Sequence, residues 1–296
     1  MKRIDALELP MSATPMTSHE ETGWRLLVGA VLRAAILAAV VVLCGLLLFP
    51  IRAHAGRSCE TRQPSPALIV QGMQLAERTS AALDASGARA VLLARAGQDL
   101  SKYGLRWSHL GIAYKSDAGP WRVVHKLNTC GTATAGLYRQ GLGEFFMDDP
   151  WRYEAAWVVP TPAVQAQLLA AMNEPTNRIA RLHVAPYSIV SYAWGLTYQQ
   201  SNQWAAEELA AAMEPGTIRS REQAQAWLKF KGYEPSTLKL GPLTRLGGRV
   251  TAANVAFDDH PNEKRFSDRI ETVTVDSLFD WLTRSGLSAA PVVLKL

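Results

Sequence analysis

The spacing of apolar residues along this chain changes several times, and each change marks an element. Leu68, Leu75, Ala76, Thr79 and Leu83 recur at helical spacing between Ser65-Pro66 and Gly87. Serine caps, proline suits a first turn and glycine closes, so a helix is predicted there. Ala90 to Ala94 is a continuous apolar run and reads as a strand, followed by a polar loop from Gly97 to Leu105. Two aromatic-rich segments come next, Arg106 to Tyr114 and Trp121 to Leu127, and read as the strands of a hairpin. The stretch from Cys130-Gly131 to Gly143 is glycine-rich and reads as loop, and Glu144 to Asp149 mixes aromatics with acids. Tyr153 to Val159 reads as a buried strand, and Thr161-Pro162 opens a helix to about Met172. His183 to Tyr198 is aromatic and β-branched, a strand or an extended loop. Ser201 to Met213 is a compact helix ended by Pro215-Gly216. Ser220 and Gln223 form a capping box for a helix that buries Ala224, Trp227 and Leu228. Strands near Val255 and Val273 and a helix from Asp276 to Arg284 complete a single α+β domain over residues 56–296.

The first 55 residues have a different pattern. Ala34 to Phe49 is almost unbroken apolar sequence, with Arg25 and Arg33 ahead and Pro50, then Ala53-His54-Ala55, behind. A positive start, an apolar middle and a small-x-small end describe a signal peptide cleaved after Ala55. Extended back to Leu26, the run reaches the ~20 residues of a membrane anchor. Met11 or Met16 suits the start of such a leader. The expected location is periplasmic or secreted, or anchored at the inner membrane if the segment is retained. The membrane then enters only through this segment.

The formal net charge of +5 is mild for 296 residues, with no Lys/Arg block, which excludes a dedicated nucleic-acid binder. Of three cysteines, Cys44 lies in the leader. Cys59 and Cys130 remain as an even pair, for which a disulfide is the simplest reading in an exported chain. A reactive Cys130 is the alternative.

His109 and His125 sit inside the two hairpin strands, and burying titratable groups without partners is costly. Alternation puts Trp107, His109, Gly111 and Ala113 on one face, and Trp121, Val123, His125 and Leu127 on the matching face. A five-residue turn centred on Asp117 sets His109 directly opposite His125, with β-carbons about 5 Å apart. One imidazole can then orient the other, and Gly111 leaves room beside them. Ser201 opens the later helix in Gln200-Ser201-Asn202-Gln203-Trp204. It reads as an N-cap or as a nucleophile at the positive end of a helix dipole, where N–H groups can steady an oxyanion.

The Ser108-His109-Leu110-Gly111-Ile112 strand, a polar residue on the next strand and a nucleophile opening a later helix resemble the circularly permuted papain-like fold. That superfamily includes NlpC-related peptidases, lecithin retinol acyltransferase relatives and YiiX-like proteins. More closely, residues 59–290 resemble the bacterial domain-of-unknown-function family 2145. The match lies in the His109 strand, His125 to Cys130, Asn202-Gln203-Trp204 and Phe257-Asp258-Asp259-His260-Pro261. The superfamily resemblance implies an antiparallel sheet packed on helices, with His109 as base, His125 as its orienter and Ser201 in the nucleophile's place. It implies a hydrolase or acyltransferase acting on an amide or ester of the cell envelope, with an envelope peptide, ester or lipid as partner and no cofactor. Ser201 departs from the thiol of those enzymes. A helix N-terminus and a histidine lower a cysteine from about 8.5 to roughly 3.5–7.5. A serine alcohol starts closer to water, at about 15.7. Altered or lost activity, or a binding domain that keeps the cleft, is the competing expectation.

Asp258-Asp259-His260-Pro261 reads as a turn, with aspartate making a local backbone bond. A zinc set joining His109, His125 and one of these residues is the rival. His183 carries no pattern. Trp151, Trp157, Trp194 and Trp204 read as core or cleft wall.

Overall fold

The computed structural model describes residues 29–41, 63–117, 119–148, 150–173 and 178–296. Residues 29–41 are helical and exposed. The rest of the leader, its cleavage point and Cys59 lie outside the described residues. Among the described residues no helix is long and apolar enough to cross a membrane. Cys130 is disulfide-bonded, so it is not a free thiol.

Residues 63–296 are built on a six-stranded antiparallel sheet in the order β4-β3-β2-β1-β5-β8. The strands are β1 (Ala90–Ala96), β2 (His109–Lys115), β3 (Trp121–Asn128), β4 (Ala135–Gly141), β5 (Arg152–Val158) and β8 (Val292–Lys295). β1 is central and every residue of it is buried, because helices cover both faces. Val91, Leu93, Ala113, Val123 and Trp157 face helices α1 (Pro66–Ala85) and α2 (Leu142–Met147). Leu92, Leu110, Ile112, Tyr114 and Val124 face the other layer. That layer holds α3 (Pro162–Asn173), α4 (Ser201–Met213), α5 (Arg221–Phe230) and a late helix, Val275–Arg284. A two-stranded sheet, β6 (Ser236–Lys239) with β7 (Arg269–Thr272), has its own small core of Leu238, Leu240, Phe257 and Ile270. Helix α6 (Pro242–Thr251) lies between these two strands in sequence, and the Val275–Arg284 helix is α7.

The predicted helices form as read. Ser65 caps α1, with the Leu68 N–H at 3.2 Å from its hydroxyl, and Gly87 ends it at φ 68°. Ser220 caps α5, although the Gln223 side chain reaches the Arg219 N–H rather than closing the box on Ser220. The glycine-rich stretch expected to be loop, up to Gly143, contains β4 and the first two residues of α2, which continues through the segment of aromatics and acids. β4 is an edge strand carrying Gly136 and Gly141, and pairing with β3 alone suffices to hold it. His183 to Tyr198 forms no strand, and Val255 lies in a turn region.

Candidate active site

A cavity of about 510 Å³ opens at the end of the large sheet. Trp107, Ser108 and His109 border it from β2 and the residues before it, Leu127, Asn128, Cys130 and Gly131 from the end of β3 and just beyond it, and Gln200 to Asn202 from the start of α4. Residues of β6, β7 and α6 close the far side. Its wall tryptophan is Trp107. Trp157 and Trp204 are core, Trp194 packs partly buried against it, and Trp151 is 56% exposed.

β2 and β3 pair Ile112 with Val124 and Lys115 with Trp121. That ladder carries His125 toward Gly111 and His109 toward Leu127, two residues from the direct opposition expected. A two-residue slip preserves the face, so the imidazoles meet on the diagonal. His109 Nε2 lies 2.8 Å from His125 Nδ1, and the rings stand at 70°. Both rest on Phe145 of α2, at 5.9 and 5.3 Å between centroids. Gly111 makes room, since a β-carbon there would sit 2.5 Å from Val123 Cγ1 and 3.2 Å from His125 Cβ.

One residue of this arrangement was not legible in the sequence. Gln140 of β4 places Oε1 2.8 Å from His125 Nε2. A carbonyl oxygen only accepts, so His125 carries its proton on Nε2 and its Nδ1 is a lone pair. That lone pair accepts from His109 Nε2–H. His109 Nδ1 is then the unprotonated nitrogen, with no hydrogen-bond partner among the described residues, and His109 borders the cavity. Burial, the Arg95 cation and His125 hold His109 well below the usual histidine range. Burial and Arg95 push His125 down to about 4, and the Gln140 bond opposes them. Arg95, opposite His109 on β1, is fixed by the Phe145 carbonyl at 2.7 Å, the Asp148 carbonyl at 2.6 Å and the Asp148 carboxylate.

Ser201 is the first residue of α4, and Gln200 is its N-cap, accepting from the Asn202 N–H at 2.9 Å. Gln200 is itself held by the Val273 carbonyl and by Ser191 Oγ, 3.2 Å from its N–H. The Ser201 hydroxyl donates to the Lys126 carbonyl at 2.7 Å, beside the Tyr187 hydroxyl. No acceptor among the described residues takes the Ser201 N–H.

A buried polar network supports this helix start. Lys126 Nζ bonds the Val184 carbonyl and Gln199 Oε1, each at 2.7 Å. Gln199 donates to Glu207 Oε2 and to the Leu182 carbonyl. Arg221 pairs with Glu207 at 2.8 Å and donates to the carbonyls of Gly195, Leu196 and Tyr198. Burial and Arg221 lower Lys126 to about 7.

The structure thus brings His109 and His125 into contact, and His109 and Ser201 to one cavity. His125 stays behind His109 and does not border it. The histidines belong to the sheet face under α2, and Ser201 to the face under α4. Asp258 to His260 form the expected turn, with the His260 N–H on the Phe257 carbonyl at 3.3 Å, and the two aspartates also bond to distant residues. Asp259 accepts from the Tyr192 N–H at 2.8 Å and meets His260 Nδ1 at 2.9 Å, while Asp258 meets the Tyr198 hydroxyl. The zinc set joining this run to His109 and His125 does not come together, since no three His, Cys, Asp or Glu among the described residues are placed to share an ion.

A family model described as an uncharacterized protein conserved in bacteria, DUF2145, matches residues 82–282. The chain belongs to the DUF2145 family. The matched DUF2145 span takes in both histidine strands, Gln140, α4 and the whole cavity wall, and leaves β8 outside. No curated protein and no solved structure matches this DUF2145 chain.

Proposed function

We propose that this DUF2145 domain is an exported, permuted papain-like hydrolase or acyltransferase-type domain that acts on an ester or amide of the cell envelope, with an activity altered by the serine that stands in place of a thiol. The observation that carries the reading is the Gln140–His125–His109 chain. It leaves a lone pair on His109 Nδ1 in a residue that borders the same cavity as a helix-opening serine. In the reaction the Ser201 hydroxyl leaves the Lys126 carbonyl, passes its proton to His109 Nδ1 through one water in the shared cavity and attacks the substrate carbonyl; the oxyanion then collapses and expels the leaving amine or alcohol, which takes that proton back. The Ser201 N–H and the α4 dipole face the oxyanion. His109 Nε2–H keeps its bond to His125, which holds the ring in place. Ser201 holds an alcohol where a thiol is expected, and an alcohol ionises far less readily, which is the ground for an altered or lost activity.

A second reading, a binding domain that keeps the cleft, is favoured by the Ser201 hydroxyl being donated to a backbone carbonyl in the resting state. A fluorophosphonate probe and p-nitrophenyl esters separate the two. The hydrolase reading expects labelling of wild type, its loss in His109→Ala, and faster ester cleavage in Ser201→Cys. An unlabelled wild type together with an inactive Ser201→Cys would refute it.

A further inference from the structure

Helix α6 has its amphipathic faces reversed. At 100° per residue, Leu243, Leu246 and Val250 fall within about 60° of one another. They are 85%, 60% and 59% exposed. The opposite side carries Thr244, Arg245, Gly248 and, just beyond the helix, Ala252. Of these Thr244, Gly248 and Ala252 border the cavity. A helix packed on a core turns its leucines inward, and this one turns them to solvent. The position is held rather than loose. Arg245 is buried and donates to the carbonyls of Leu240 at 2.9 Å and Arg265 at 2.6 Å, over the Phe257 ring. The same anchor fixes the turn that presents Phe266, 78% exposed.

Three observations name the occupant of this face. The stripe backs directly onto a cavity whose walls are largely apolar, with Leu105, Trp107, Leu238, Leu240 and Val273 among them. Exposed Arg249 lies on α6 beside the stripe, and Arg265 stacks on Phe266, giving the cation-flanked apolar face of an interfacial helix. The same chain carries the apolar run Ala34 to Phe49. We propose that α6 rests on an anionic lipid surface and that the cavity beneath it takes a lipid acyl chain. This assigns a substrate class to the site proposed above and rests on that reading only for the chemistry.

The test is hydrogen exchange of the full chain with vesicles of phosphatidylglycerol or of phosphatidylcholine. Phosphatidylglycerol is expected to slow the amides of residues 243–251 by about tenfold or more, phosphatidylcholine much less, and Leu243→Ser/Leu246→Ser/Val250→Ser is expected to abolish the slowing. All three residues are exposed, and unchanged exchange in β2 shows that the variant is folded. No slowing, equal slowing in the variant, equal slowing by both lipids, or slowing that follows protein concentration without vesicles would each overturn the surface assignment. Ser201→Ala, which cannot turn over, is expected to bind the fluorescent fatty acid cis-parinarate, and Thr244→Trp at the cavity wall to weaken that binding by about tenfold. Absence of binding, or indifference to Thr244→Trp, overturns the acyl-chain assignment. Slowing and fatty-acid binding together with an unlabelled wild type and an inactive Ser201→Cys refute the hydrolase reading alone.

Discussion

Replacing Gln140 by glutamate tests the imidazole chain without touching the cavity. In the wild type His125 is fully buried and titrates at about 4 instead of 6.5. A histidine with a depressed folded pKa binds fewer protons folded than unfolded. Its stabilising contribution is present above 6.5 and is lost as pH falls toward 4. At about 1.4 kcal/mol for each pH unit the loss is about 3 kcal/mol. Gln140→Glu puts a carboxylate where Oε1 now lies, 2.8 Å from Nε2. An opposite charge at roughly 4 Å and an effective dielectric near 20 contributes about 4 kcal/mol, which raises the His125 pKa toward about 7. The acid limb between pH 6.5 and 4 should then lose nearly all of that 3 kcal/mol. Urea unfolding at half-unit pH steps reads the stability, and imidazole NMR titration reads the pKa directly. Other acid-sensitive groups, His183 among them, are common to both proteins and cancel in the difference. An unchanged acid limb together with a His125 resonance still titrating near 4 would show that Gln140 does not orient this ring.

Two further outcomes follow from the core. Burial raises Glu208 from 4.5 to about 8, so folded Glu208 is protonated at pH 7 and stability falls as pH rises from 4.5 to 8. Glu208→Gln should remove that slope and exceed wild type by about 3 kcal/mol at pH 7, converging with it near pH 4, in the same urea series. Gly111→Ala forces a β-carbon against Val123 and His125 and should cost about 1–3 kcal/mol by thermal unfolding, with altered His125 resonances.

The histidine pair was legible because the face depends only on strand parity, which survived a two-residue error in the turn, and so small a slip keeps the rings within diagonal reach. The start of α4 was legible from its boundary, but the cap was Gln200, whose amide reaches Asn202 in the way a shorter side chain usually does. Gln140 was hidden because its role exists only once β4 pairs with β3, and the glycines at 136 and 141 disguised β4 as loop. The same held for β6 and β8, four residues each, too short to show alternation. Helix α6 was missed because its leucines and its Gly247-Gly248 pair describe no inward face. The turn at Asp258 was read correctly, while its partners, Tyr192 and Tyr198, are some sixty residues away and invisible to local chemistry.

The stretch between Leu182 and Gln200 has no regular secondary structure, yet Gln199 from within pins its carbonyl at Leu182, and Lys126 and Arg221 from outside pin those at Val184, Gly195, Leu196 and Tyr198. An irregular segment tethered at so many points has already surrendered its conformational freedom during folding. A guest arriving against it meets a finished surface, loses little entropy to ordering that wall, and encounters selectivity by shape rather than by adaptation.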